Sequence, residues 1–224
     1  MPHFPSPAES PGVVEVITEE AAVQTPTGEK LPVTPLVGEG EMVAKGAPVA
    51  CLRQTPSICL VAPVAGRVAK IALLPGRRLS EIVLFRDPDG GTEVHDTAQA
   101  ASADGLRRLM QASGVWPWLR RRPFGGMPAP DEVPAAIFVM AADTHPHAPS
   151  PVDALAGRED AFGRGLAALR RMTDGPVFLC LPERARGRLG GVVDTSVRKI
   201  VCGPRHPQGC AGIRIHHACP ASLD

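Results

Sequence analysis

Apolar residues fall in two different rhythms along the chain. From 31 to 90 they come in short bursts bounded by Gly and Pro: 47–51 (APVAC), 58–61 (ICLV), 67–71 (RVAKI) and 81–85 (EIVLF). Bursts of this length with turn formers between them predict a compact all-β module. Asp87-Pro88-Asp89-Gly90-Gly91 is a strong turn that ends it. A strand is also expected at 13–17 (VVEVI). From about 102 the period lengthens. Ser102 is placed to cap a helix carrying Leu106, Leu109 and Met110 on one face, ended by Ser113-Gly114, with a second short piece over 115–119. A buried strand is expected at 135–140 and an amphipathic helix over 158–173, with Phe162, Leu166 and Leu169 on its apolar face. Asp174-Gly175-Pro176 stops that helix, 177–181 (VFLCL) is the next strand, and 200–202 and 213–217 are two further strand candidates. Strand, helix, strand with turn punctuation predicts a βαβ unit and a mostly parallel sheet. The expected organisation is a flexible arm over 1–12, a β module over 13–95 and an α/β domain over 100–224.

Composition narrows the function. The 224 residues carry a net charge of +1, so no overall electrostatic pull toward nucleic acid or membrane is expected. Only 4% of residues are aromatic and none is Tyr, which disfavours base-stacking platforms and aromatic sugar sites. The longest apolar run near the middle, 135–142, is less than half of the roughly 20 residues a spanning helix needs. The start (MPHFPSP) has no basic and apolar signal pattern. Six cysteines without close pairs, at 51, 59, 180, 202, 210 and 219, read as reduced thiols in the cytosol.

Within the β module, 37–49 (VGEGEMVAKGAPV) is similar to the first glycine turn of biotinyl and lipoyl domains, and 62–68 (APVAGRV) to their second. The resemblance implies a barrel-sandwich hybrid. A carrier domain needs a lysine on the hairpin between these turns. Here 53–59 (RQTPSIC) has none, so no amine is available for acylation and a scaffold role is expected.

Three further motifs follow in order: Ser113-Gly114-Val115-Trp116 with Leu119 to Phe124; Ala136-Ile137-Phe138-Val139 with Asp143-Thr144-His145-Pro146; and Gly203-Pro204-Arg205-His206-Pro207-Gln208-Gly209-Cys210-Ala211-Gly212 with His216. Behind a lipoyl-like module, this series resembles the family of the A subunit of the sodium-translocating NADH:quinone reductase, over roughly 30–220. The related C subunit of Rnf complexes shares the architecture, but its clustered iron–sulfur cysteine motifs are missing here. The resemblance implies a barrel-sandwich hybrid followed by a partial Rossmann-like α/β domain. It implies a peripheral, non-flavin subunit on the cytoplasmic face of the bacterial inner membrane, partnered by membrane subunits of a redox complex. NADH, flavin and ubiquinone are then cofactors of the complex, none bound by this chain, and no catalytic residue is expected on it. The family's chain is longer, so a shortened paralogue or a fragment is expected. An alternative is an accessory subunit of a different membrane redox complex.

Candidate residues fall in three groups. Arg120, Arg121 and Arg122, with Gly125-Gly126, stand where the wider superfamily has a glycine-rich flavin-phosphate loop. The resemblance implies a degraded flavin site, since proline removes backbone donors and side chains block close approach. The arginines read either as a binder of phosphate or of an acidic partner, or as a solvated basic turn. Asp143, His145 and His147 follow a predicted parallel strand, at the end where α/β folds place ligands; a strand-end turn is the alternative. In the tail, Cys202, His206, Cys210, His216, His217 and Cys219 have zinc-ligand chemistry but no C-x-x-C or H-x3-H spacing. The expectation there is no bound metal, with buried cysteines and hydrogen-bonded loop histidines.

Overall fold

Residues 14, 16–26, 29–191 and 193–220 are described by the computed structural model. The arm expected over 1–12 lies outside them. The alternation of apolar and polar positions in the β module resolves into two antiparallel sheets. One has the order β1-β7-β6-β3, from β1 (Glu20–Val23), β3 (Met42–Val43), β6 (Gly66–Leu74) and β7 (Arg78–Arg86). The other, β2-β4-β5, comprises β2 (Val33–Pro35), β4 (Pro48–Leu52) and β5 (Cys59–Val61). Both send fully buried side chains into the core: Val33 and Val49 from one sheet, Val68, Leu79, Ile82 and Leu84 from the other. Leu79 and Ile82 are three apart, which a regular strand would put on opposite faces. The β6–β7 register shifts between Ala72 and Leu73, where Leu73 pairs with Leu79 and Ala72 with Glu81. Ser80 is therefore the extra residue of a bulge, which resets the parity so that both side chains point inward. Gly40 and Gly46, at φ +91° and +86°, hold the first lipoyl-like turn in a conformation that other residues rarely adopt.

Of the strand expected at 13–17, residues 13 and 15 lie outside the described residues, and the first described strand is β1. Glu20 pairs with Phe85, and the Arg86 N–H donates to the Glu19 carbonyl. One residue further back, the partner strand has already entered the Asp87–Gly90 turn, so Val16 and Ile17 have no ladder to join and are exposed. Two compact units result, one spanning Val16–Glu132 and the other holding Val133 onward, so 100–132, expected in the α/β domain, groups instead with the β module. The first includes α1 (Ala103–Ala112), which is capped as expected: the Ser102 Oγ accepts from the Gly105 N–H at 3.0 Å. A single 3-10 turn, Trp116–Trp118, follows.

The second unit is a three-stranded parallel sheet of order β10-β9-β8, from β8 (Ile137–Met140), β9 (Val177–Pro182) and β10 (Arg198–Cys202). The crossover from β8 to β9 carries α2 (Glu159–Leu169), and α3 (Arg186–Gly190) lies between β9 and β10. Central β9 is buried on both faces. Val177, Leu179 and Leu181 pack with Leu166 of α2, Ala185 and Leu189. Cys180 faces the other way, with Cys202 and Ala142. The expected strand at 135–140 forms, but β8 is only half-buried because it is an edge strand. The strand expected at 213–217 is instead helix α4 (Ala211–Ala218). Gly209 is still hydrogen-bonded to Thr144 beyond the carboxyl end of β8, so 213–217 could enter the sheet only against the strand direction. The chain turns into a helix there, with the Ile213 and Arg214 N–H groups donating to the Cys210 carbonyl.

The two inward thiols of the second face give a first prediction. Burial, with a smaller contribution from Cys202, pushes Cys180 up to about 12. Burial also raises Cys202. The unfolded thiol ionises near its ordinary 9.0, so above that pH the unfolded state loses a proton that the folded state keeps. Stability is expected to hold up to about pH 9 and to fall toward about pH 12. Urea midpoints measured across that range check this, and Cys180→Ala should flatten the decline. An unchanged slope in the variant would show that other groups drive it.

Candidate functional site

Two loops leave the same end of the parallel sheet. One follows β8 and carries Asp143, Thr144 and His145; the other follows β10 and runs from Gly203 to Cys210. Parallel strands put both carboxyl ends on one side, so residues about 65 apart in sequence meet. The loops are pinned together where the Gly209 N–H donates to the Thr144 Oγ1 at 2.9 Å. A Cβ on Gly209 would stand 2.7 Å from the Thr144 nitrogen and 2.9 Å from the Asp143 carbonyl carbon, so only glycine allows this approach. Within the second loop the Gln208 Oε1 accepts from the Gly203 N–H at 2.9 Å, and the Cys210 N–H donates to the Pro207 carbonyl at 2.9 Å.

These contacts bring three side chains to one point. The Cys210 Sγ lies 3.9 Å from the His145 Nε2 and 3.9 Å from the His206 Nδ1. The two imidazole rings are 4.9 Å apart, centre to centre. One ligand atom from each of His145, His206 and Cys210 falls within 4.8 Å of the other two. Asp143 braces the group from behind. Its Oδ1 lies 2.7 Å from the His145 Nδ1 and accepts the His145 backbone N–H at 2.9 Å. Partial burial pushes the Asp143 carboxyl upward, but the hydrogen bonds from the His145 backbone and ring, together with the charge of that ring, outweigh it and hold the carboxyl below its ordinary value. Both histidines are solvent-exposed, and Cys210 is partly so.

The remaining sequence candidates stand elsewhere. Cys202 is buried beside Cys180. His216 and His217 lie on α4 with their rings 5.9 Å apart, and Cys219 ends that helix. His147 is exposed, at φ +60°. The arginine turn belongs to the first unit. The Arg120 Nη1 folds back onto the carbonyls of Pro117 and Leu119 at 2.6 and 2.8 Å, closing the 3-10 turn. The Arg121 Nη1 reaches the Glu132 Oε2 at 3.3 Å, while Arg122 is exposed. His145 and the His206–Cys210 pair stand in separate motifs, and nothing in their spacing announces that they converge. The one local signal is the i, i+4 separation of His206 and Cys210.

Comparison with known proteins finds a barrel-sandwich hybrid followed by an alpha/beta domain. Residues 12–87 match the model of the NqrA N-terminal barrel-sandwich hybrid domain, and 101–224 match that of the NqrA second alpha/beta domain. The chain is 37% identical over 204 residues to the A subunit of the Na(+)-translocating NADH-quinone reductase of Rhodopirellula baltica, covering 85% of this chain and 43% of that protein. It is 38% identical over 194 residues to the corresponding protein of a Klebsiella pneumoniae strain, covering 84% and 42%. With that of Tolumonas auensis the identity is 34% over 218 residues, covering 93% and 48%. The chain therefore spans less than half the length of these curated relatives. With both domain types in the same order, and identity above 30% through most of its length, this chain belongs to the NqrA family.

Proposed function

We propose that this chain acts as a peripheral subunit of a sodium-translocating NADH:quinone reductase, supporting electron transfer from NADH to ubiquinone and the export of sodium by the assembled complex. The observation that carries this reading is the continuous relationship to NqrA proteins across both units. In this reading the chain holds no flavin or iron–sulfur centre of its own and works as a scaffold on the cytoplasmic face of the membrane. Among the described residues no helix is long and apolar enough to cross a membrane, which favours attachment through membrane subunits. The β module and the arginine turn are the docking elements. Trp118, Arg122 and Phe124 are exposed along this segment, and aromatic and arginine side chains are enriched at protein interfaces.

Affinity purification of the tagged chain from native membranes tests the reading. The expected result is recovery of the pump's membrane and flavin-bearing subunits, with NADH:quinone reductase activity in the eluate and no flavin absorption from the chain purified alone. Recovery of a different redox complex without those subunits would overturn it.

A further inference from the structure

We propose that His145, His206 and Cys210 form a three-ligand site for a single zinc ion, with Asp143 as the residue that orients His145. Two imidazoles and one thiol are the ligand types that a borderline-soft divalent ion selects, whereas calcium and magnesium require oxygen. The spacing is close to what zinc needs. Bond lengths of about 2.3 Å to sulfur and about 2.05 Å to nitrogen, at tetrahedral angles, put sulfur and nitrogen about 3.6 Å apart and two nitrogens about 3.4 Å apart. Both sulfur–nitrogen separations here are 3.9 Å, so a contraction of a few tenths of an ångström closes them. The third separation, within 4.8 Å, closes by rotation of the exposed His206 ring, with His145 held by Asp143.

The tautomer of His145 is set for the task. When the imidazole is neutral, the Asp143 carboxylate 2.7 Å from Nδ1 favours the proton on that nitrogen, which leaves Nε2 as the lone-pair donor toward Cys210. A carboxylate behind a histidine is the usual outer shell of a zinc ligand. The scaffold is built as well, since Gly209 and its bond to Thr144 fix one ligand loop against the other. The fourth position is left to water, on the exposed side of the histidines.

Cys210, His145 and Asp143 also have the order of a nucleophile, base and orienting acid. One observation favours the metal. His206 faces the same sulfur, also at 3.9 Å, and a triad gives that second imidazole no role. A zinc ion is not redox-active, so the site asks no electron-transfer role of this chain. The inference rests on this chain's own loops and stands or falls independently of the complex it joins.

The test uses the tag-free full chain, stripped with chelator and titrated with zinc against a chromophoric competitor. One equivalent is expected to bind, and cobalt(II) in its place should give tetrahedral ligand-field bands with a thiolate charge-transfer band. In the unmodified chain zinc should slow alkylation of Cys210 by at least about tenfold, because a coordinated thiolate is withdrawn from attack. Cys210→Ser and His206→Ala should abolish tight binding. Asp143→Asn, which touches no metal, should weaken it by about 10–100-fold. His216→Ala and Cys219→Ser should leave it unchanged. Equal alkylation of Cys210 with and without zinc, or a cobalt spectrum lacking the thiolate band, would overturn the proposal whatever the variants do.

Discussion

Trp116→Ala is expected to destabilise the Val16–Glu132 unit by about 3–5 kcal/mol, the range for deleting a large buried ring. Trp116 is 1% exposed, and its indole N–H donates to the Pro128 carbonyl at 3.1 Å. The Arg107 guanidinium lies over its ring at 5.8 Å. The ring is one of three side chains that hold down a segment with no helix or strand of its own. The Gln111 Nε2 donates to the Pro130 carbonyl at 2.8 Å, and the Arg107 Nη1 to the Glu132 carbonyl at 2.6 Å. Alternate carbonyls of 128–132 are thus satisfied by side chains, where a regular element would have used backbone. Losing the indole removes core volume and orphans one of those carbonyls together. Trp116→Phe keeps most of the volume and is expected to cost about 1–3 kcal/mol, mainly for the unpaired carbonyl. Trp118, two residues on, is 68% exposed, and its replacement by Ala should stay within about 0.5 kcal/mol. Urea unfolding followed by far-ultraviolet circular dichroism ranks the three variants. Equal losses for Trp116→Ala and Trp118→Ala would contradict the packing described.

In the second unit the largest loss is expected for Leu179→Ala, about 2–5 kcal/mol. Leu179 sits mid-way along the central strand β9, is 0% exposed, and packs with Leu166, Leu181 and Leu189. It has strands on both sides and helices over its face, so the neighbours can do little to fill the void. Val201 on edge strand β10 is 39% exposed, and Val201→Ala should cost less than about 1 kcal/mol. Hydrogen exchange of the β8–β10 amides is the measurement. Protection should collapse in Leu179→Ala and persist in Val201→Ala. Retained protection in the first variant would mean that the sheet core does not depend on this side chain.

Much of the fold was legible because its signals are local. The bursts at 47–51, 58–61, 67–71 and 81–85 became β4 to β7 since turn residues bounded each one. Ser102 capped α1, and Asp174-Gly175-Pro176 closed the α2 crossover, through chemistry confined to a few residues. The misreadings have non-local causes. The run at 13–17 reads as a strand, but Val16 and Ile17 precede β1, where the partner strand has already turned away at Asp87. Ile213-Arg214-Ile215-His216 alternates like a strand, but the loop before it is tied to Thr144 at the wrong end of the sheet.

The sequence by itself did not determine the boundary between the units, at Glu132. It determined that a β module precedes an α/β domain, the alternation of elements, the family, and the presence of cysteines and histidines with ligand chemistry. Periodicity and turn residues encode each of these over short stretches. Tertiary structure alone decided which of two neighbouring tryptophans is buried and which two of the tail's ligands meet His145. Those outcomes depend on strand order and on a backbone approach at Gly209 that brings together residues about 65 positions apart. No local pattern carries a distance of that kind, because it exists only once the parallel strands have paired.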